Sequence, residues 1–462
     1  MKIKNLAILL MVFSVSLVSC NKSKDTNKNL KQGDTLDLIN NVELDYDNAF
    51  FDDFSNGVNH DNWYIGNQAW GGSNGGVIPE NVSYTDDGIL LLRGNGGYYQ
   101  QNELTGVGDV KDGRYTGAAL ISKFLVQSGR YEIKMKVLPR LGACTAFWTY
   151  AYEFTNELNH EIDIELPGGN QSGVPTFEKL LNTNYHKENR SHSQDIKVAD
   201  ALKMQEVYLN DGEWHTFGFD WYSSEEKIIY YIDNKITAIS ENFIPYLQCR
   251  LWIGVWFPVS SGFVGQAEFE TDYMQVDYVK YIPFKNQKFE VFNPSVNGYA
   301  NDNQYPTIPQ TLQTVNKLAN GTFEYVSPDN AHFSGWILDR YLDEDKPVEQ
   351  VCYFDNTAGI NNSHGLVIKD GGVASQDVDA VYHGFEHDLS FKAKGKGTVI
   401  ITYYSTSTTS SLLRKTINIE SEEFETYTLN LTAPEQSQML RVEIDTFNGS
   451  TIQVDDISLI QK

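Results

Sequence analysis

The run Glu161-Ile162-Asp163-Ile164-Glu165 constrains this chain more than any other five residues. Isoleucine is β-branched and suits a strand, and successive side chains on a strand point to opposite faces. The three carboxylates therefore share one face. The two isoleucines share the other, where they require an apolar partner layer. The result is a strand with one oily side and one side that water or a polar ligand must fill. Like charges repel, and no cation within the run neutralises them; a plain surface strand would mix in Lys and Thr. Crowded carboxylates set one another's protonation state, which is how acid–base chemistry at a glycosidic bond uses them.

Composition narrows the setting. At 462 residues the chain is too long for one ordinary core and suits two domains with tails. Hydrophobic residues make up 41% and charged residues 21%, which places it among globular chains. Aromatics at 13% together with 36 Gly favour all-β architecture with sugar-stacking surfaces over an α/β fold. The formal net charge of −25 removes any electrostatic basis for holding nucleic acid. It also disfavours a sulfated or uronic polysaccharide, which would be repelled.

Residues 1–20 read as a lipoprotein signal peptide. Lys2 and Lys4 precede an apolar run, Leu6 to Leu17, too short to span a bilayer. The run closes on Leu17-Val18-Ser19-Cys20, which resembles a bacterial lipobox and implies cleavage before Cys20 with lipid on its thiol. Polar residues 21–48 then form a flexible tether. An exported, membrane-anchored bacterial lipoprotein is expected, at the outer membrane, the cell surface or the periplasmic face. The other cysteines, Cys144, Cys249 and Cys352, lack metal-type spacing. A Cys144–Cys249 disulfide and three isolated buried thiols fit equally, and neither carries chemistry.

From residue 49 short apolar runs alternate with Gly/Asn/Asp clusters, and Tyr131 to Val137 alternates cleanly, as a half-buried strand should. Lys227 to Ile232, a turn at Asp233-Asn234, then Lys235 to Thr237 predict a hairpin. Val198 to Val207 carries the one weak helical signal. Residues 49–284 thus form a catalytic-domain-sized sandwich of two antiparallel sheets. The Asn-, Gln- and Pro-rich stretch 285–317 reads as a linker, and residues 318–462 as a second, smaller β-sandwich. The fold class is all-β.

An ordered set of stretches carries a family resemblance. Tyr115 to Lys123, Gly129 to Lys136, Ala146-Phe147-Trp148, His160 to Glu165, Trp214 to Phe217 and Asp220-Trp221 together resemble glycoside hydrolase family 16. The resemblance implies a concanavalin-like β-jelly roll and an endo-acting, retaining β-glycanase that needs no cofactor. It makes Glu161 the nucleophile, Glu165 the general acid/base and Asp163 an assisting carboxylate. Retention requires the two carboxyl groups about 5–5.5 Å apart, and inversion about 6.5–9.5 Å. On a flat strand Glu161 and Glu165 start about 13 Å apart at Cα, so their side chains must lean together.

One residue, Ile164, separates Asp163 from Glu165, whereas many laminarinases, agarases and carrageenases of the family have an extra residue there, forming a bulge. In this the chain is similar to mixed-linkage β-glucanases and xyloglucan-active enzymes, and Leu166-Pro167-Gly168 is near the lichenase pattern. A β-1,3/1,4-glucan is the favoured substrate. β-1,3-Glucan, xyloglucan, a β-galactan and transglycosylation are the alternatives within the family. A non-catalytic glycan-binding lipoprotein serving a glycan-uptake system is the rival from another class.

Substrate-binding candidates follow. Asn184-Tyr185 resembles a glycan-contacting pair of lichenases, beside Asn182 and His186 of the same parity. Trp148, Trp252 and Trp256 could stack on pyranose rings or pack the core. His215 reads as structural more readily than as a site residue. In residues 318–462, Leu318 to Glu324, Gly335-Trp336 and Val454 to Leu459 resemble carbohydrate-binding modules of families 4 and 22. That resemblance implies a structural calcium held by Glu324 and Asp456, for which hard oxygen ligands suit. Tyr382, Phe385, Tyr403 and Tyr404 are candidates for a sugar-stacking platform there.

Overall fold

The computed structural model describes residues 30–39, 41–70, 72–99, 115–153, 158–168, 179–186, 190–203, 208–259, 261–292, 305–325, 335–341, 346–405 and 410–462. The signal segment and Cys20 lie outside them. Two antiparallel sheets pack face to face in the first domain. One runs in the spatial order Lys235–Ser240, Lys227–Ile232, His215–Tyr222, Gly129–Lys136, Thr271–Pro283, Leu90–Asn95, Val82–Tyr84, with Phe50–Asp52 pairing to Thr271–Pro283. The other runs Arg190–Lys197, Lys179–His186, Leu158–Pro167, Cys144–Glu153, Arg250–Trp256, Ala118–Ser122, Trp63–Ile65. The carboxylate strand Leu158–Pro167 lies inside this second sheet.

Alternation decides which side of each strand meets the other sheet. Gly129–Lys136 buries every second residue, and Ile162 and Ile164 are fully buried between the sheets, as their β-branched, apolar character requires. Phe147 lies 5.9 Å from Phe219 across the gap, and Tyr131 stacks on Phe219 at 4.5 Å. Each such ring contributes about 1.5–3 kcal/mol through burial. The Asp233-Asn234 hairpin is present, with both residues at positive φ as a tight turn requires. The helical signal from Val198 yields the short helix Val198–Leu202, and a second helical turn forms at Ser261–Val264.

A third antiparallel sheet forms the C-terminal unit, in the order Ile337–Arg340, Gly372–Asp379, Met439–Asp445, Glu386–Tyr404, Thr451–Gln461, Gly365–Lys369, Cys352–Asp355, with Ser411–Thr432 along Glu386–Tyr404. Glu386–Tyr404 pairs with Thr451–Gln461 through its first half and with Met439–Asp445 through its second. It changes partner near Gly395, whose φ of +95° and close approach to the Thr451 carbonyl leave no room for a side chain. This bend folds the sheet over a core containing Trp336, Phe391 and Tyr403.

The two units are fastened together. Tyr208 stacks flat on Tyr382 at 4.0 Å, and Asn210 Nδ2 donates to the Ala380 carbonyl at 3.1 Å. The described part of the linker lies along the first domain: Pro309 bridges to Tyr84, and Gln310 N donates to the Tyr84 carbonyl at 2.7 Å. At its end, Arg140 Nε and Lys317 Nζ both donate to buried Asp272, and Arg140 also donates to the Asn316 and Lys317 carbonyls. Burial works to raise the Asp272 carboxyl, but Lys317 and Arg140 outweigh it and hold the group below its ordinary range.

Candidate active site

The strand Leu158–Pro167 pairs with Cys144–Glu153 on one side, setting Tyr150 across from Glu161, Trp148 across from Asp163 and Ala146 across from Glu165. No register slip interrupts these pairs, so the strand is regular through all three carboxylates, as the single spacer Ile164 predicts. Opposed residues of an antiparallel pair share a face. The row Ala146, Trp148, Tyr150 therefore stands beside the row of carboxylates. Together with Gln68, Trp70, Trp252 and Trp256 they line a cleft of about 320 Å³ on the outer face of the sheet.

The aromatics form one contiguous wall. Trp148 stacks on Trp252 at 5.2 Å, and Trp70 meets Trp252 at 6.4 Å and Trp256 at 5.6 Å. Trp252 is buried beneath this group, while Trp70, Trp148 and Trp256 keep part of their surface open. All three tryptophans anticipated for this face thus line the cleft. Trp70, Gln68 and Tyr150 were not anticipated. Tyr150 shares parity with Trp148 on one strand, a signal that strand alternation already contained. Trp70 lies in a Gly-rich loop that no pattern assigns to the site.

The carboxylates are differentiated by their partners. Asn159 Nδ2 donates to Glu161 Oε2 at 3.0 Å. Asp163 is the most buried of the three and hydrogen-bonds with Glu161. Glu165 has the Cys144 thiol 3.9 Å from its Oε1, and the Trp256 indole bonds in turn to that sulfur. Burial pushes Glu161 up to about 8, with the Asn159 and Asp163 hydrogen bonds working the other way. It pushes Glu165 up to about 7, eased by the thiol, and drives Asp163 well above its ordinary range, reinforced by the charges of Glu161 and Glu165. The trio shares protons as a unit. Asp163 holds one most tightly and donates it to Glu161. Two donors on Glu161 favour its anion, against one long thiol contact on Glu165, yet burial still leaves Glu161 with the higher proton affinity, so protonation order alone does not divide nucleophile from acid.

Other anticipated residues separate from this cleft. Cys144, Cys249 and Cys352 are free and buried, so the disulfide alternative is excluded; Cys144, expected to be inert, lies against a carboxylate of the site. His215 lies on the opposite sheet between Asp211 and Asp233, whose carboxylates outweigh the effect of burial and raise it to about 9. It lies away from the carboxylate cleft. The backbone of Lys179–His186 sets Tyr185 across from Glu161 and Asn184 across from Ile162; the side chains of Asn184, Tyr185, Asn182 and His186 lie outside the described residues.

In the C-terminal unit, the anticipated calcium pair takes separate partners. Glu324 Oε2 bonds to His364 Nδ1 at 2.6 Å, and Asp456 pairs with Lys392 at 2.9 Å. The carboxylate that turns inward is the neighbouring Asp455, which accepts from Ile360 N and Ser363 Oγ. Among the described residues no cluster of three potential metal-ligating side chains forms. Of the expected stacking platform, three residues are corrected, and Tyr404 alone keeps part of its surface open. Tyr382, Phe385 and Tyr403 are buried, Tyr382 by its stack on Tyr208 and Tyr403 in the core beside His387. Aromatic residues here were needed to close a small sandwich and dock it.

Comparison with known proteins bears on the first sandwich. Residues 80–278 match the family model of glycosyl hydrolases family 16. A beta-glucanase of Acetivibrio thermocellus is 25% identical over 279 residues, covering 57% of this chain and 70% of that protein. A beta-glucanase of Bacillus subtilis is 26% identical over 213 residues, covering 45% of this chain and 74% of that protein. Among solved structures, the Bacillus licheniformis beta-glucanase aligns at 21% identity with a TM-score of 0.39, covering 50% of this chain and 97% of that one. The stretch of the first sandwich that holds the carboxylate strand is thus similar to glycosyl hydrolases family 16 and to beta-glucanases.

Proposed function

We propose that the protein is a retaining endo-β-glucanase, acting by double displacement, with mixed-linkage β-1,3/1,4-glucan as its preferred substrate. The observation that carries this reading is the three-carboxylate row on a regular strand, set beneath an aromatic wall in an open cleft. Glu161 attacks the anomeric carbon while Glu165 delivers its proton to the departing glycosidic oxygen. The bond to that oxygen breaks as the ester to Glu161 forms. Glu165, now ionised, takes a proton from water, whose oxygen displaces Glu161 from the sugar. Asp163 keeps its proton near Glu161, supporting that carboxylate as an anion and as a leaving group. A Glu165 proton affinity raised towards neutrality leaves the acid form populated at working pH.

Substrate class rests on softer support. The relatives are named beta-glucanases, and the strand has no bulge before Glu165. The half-open faces of Trp70, Trp148 and Trp256 suit the C–H faces of pyranose rings. We extend the proposal to the anchor: Cys20 carries lipid and holds the enzyme on a membrane where polysaccharide arrives. Fatty-acid labelling that persists in Cys20→Ala would remove that part.

The decisive experiment is product analysis on barley β-glucan, laminarin and xyloglucan with the wild type and Glu161→Gln. Oligosaccharides of defined size from barley β-glucan are expected, of retained anomeric configuration at first release, and none from Glu161→Gln. Equal hydrolysis by Glu161→Gln overturns the catalytic assignment. Preference for another glucan overturns only the substrate.

A further inference from the structure

We propose that Tyr305, on the segment joining the two sandwiches, is a positioning residue for the substrate cleft. It acts through Asn67 on the loop that carries Gln68 and Trp70. The inference rests on the reading above that this cleft binds glycan.

The loop between Trp63–Ile65 and Val82–Tyr84 supplies one wall of the cleft through Gln68 and Trp70. Its stem is closed by reciprocal backbone bonds between Gln68 and Val77, and Gly66 N donates to the Ala119 carbonyl at 2.8 Å. Gly66 lies so close to Val77 and Ala119 that even a methyl group there would collide. Its far end is tied to the chain just past Trp256: Asn74 N donates to the Phe257 carbonyl and Val259 N to the Gly72 carbonyl. Asn67 sits between these constraints, immediately before Gln68. Its side-chain amide donates to Tyr305 Oη at 2.8 Å, and the body of Tyr305 packs against the hydrophobic core.

Tyr305 is itself held in place. Four residues on, Pro309 bridges to Tyr84, and Ser83 Oγ bonds to the Gln310 side chain at 3.1 Å. Farther along, Asn316 and Lys317 are gripped by Arg140. A segment fastened at three points presents one hydroxyl to the root of the cleft wall. Moving Asn67 moves Gln68 and, through the next two residues, Trp70, whose edge contact with Trp252 and tilted contact with Trp256 define that side of the cleft. A hydrogen bond of this kind, lost at a half-buried site, is worth several-fold in an equilibrium. The expected effect is on substrate binding, because the carboxylates sit on a different strand.

The test uses full-length protein and barley β-glucan. Tyr305→Phe removes the hydroxyl alone and should raise KM about three- to tenfold, with kcat within about twofold of wild type. Asn67→Leu should do the same, and the double variant should be no worse than either single one. Gln310→Ala removes one of the segment's three fastenings but keeps the Tyr305 hydroxyl on Asn67, so it should raise KM clearly less than Tyr305→Phe does. An unchanged KM in Tyr305→Phe overturns the proposal. So does a Gln310→Ala effect equal to that of Tyr305→Phe, which would make the segment a general stabiliser. If Trp70→Ala and Glu161→Gln both hydrolyse glucan normally, it is the reading of the cleft that fails instead.

Discussion

Both sandwiches are rich in aromatic residues, and the two use them in opposite ways. In the first, Trp148, Trp70 and Trp256 stand half open over a row of carboxylates, with Trp252 beneath them. In the second, Tyr382, Phe385 and Tyr403 are buried, spent on the core and on the stack against Tyr208. The large first domain can fill its interior with aliphatic and aromatic residues and still leave tryptophans over. The smaller C-terminal unit commits Tyr382, Phe385 and Tyr403 to cohesion, while Tyr341 and Phe447 stay exposed. Aromatic content is therefore a poor guide to sugar binding until parity and neighbours are known.

This contrast can be broken most decisively at the carboxylates. Glu161→Gln should lower glucan hydrolysis on the order of 10³-fold or more. Asp377→Asn, which removes one partner of the Arg441 ion pair in the second sandwich, should leave the rate near wild type; reducing-sugar assays compare the two.

The aromatic residues come next. Tyr403→Ala should cost about 3–5 kcal/mol of stability by urea unfolding, since its ring is fully buried. Trp148→Ala should instead raise KM about tenfold and shift Tm little. Reversal of that pattern would show that the open tryptophans are core and the buried tyrosine is functional.

A smaller effect tests the electrostatics. Glu161, Asp163 and Glu165 all have raised proton affinities in the folded protein. Between the ordinary carboxylate range and about 8 the folded state thus binds more protons than the unfolded one, so these groups cost stability as pH rises. Asp163→Asn should melt above wild type at pH ~8, with the advantage shrinking as pH falls to ~4. A pH-independent difference would remove the crowding explanation.

The smallest expected change is at Cys144. Its thiol eases the burial-raised proton affinity of Glu165, so Cys144→Ala should move the basic limb of the kcat/KM profile upward by a few tenths of a pH unit, roughly. A limb that stays put would reduce Cys144 to packing.

Several of these outcomes were already readable in the chain. Alternation along Glu161–Glu165 separates carboxylates from isoleucines because strand geometry is local, and the absence of an extra residue before Glu165 sets a regular register for the same reason. The Asp233-Asn234 turn was legible because its positive-φ requirement belongs to two adjacent residues. The partners of Glu324 and Asp456, His364 and Lys392, were not legible, because they lie far from them in the chain.

By itself, then, the sequence determined an all-β chain, one strand with its carboxylates on a single face, and a likeness to glycosyl hydrolases family 16 around it. Only the tertiary structure decided the rest. It brought Trp70 and Gln68 to the cleft from a loop about ninety residues upstream of the carboxylates, placed the Cys144 thiol on Glu165, consumed the C-terminal aromatics in docking, and strapped the linker to the body. Each of these depends on contacts between residues far apart in the chain. Such contacts follow from how layers pack, and no pattern of neighbouring residues specifies them.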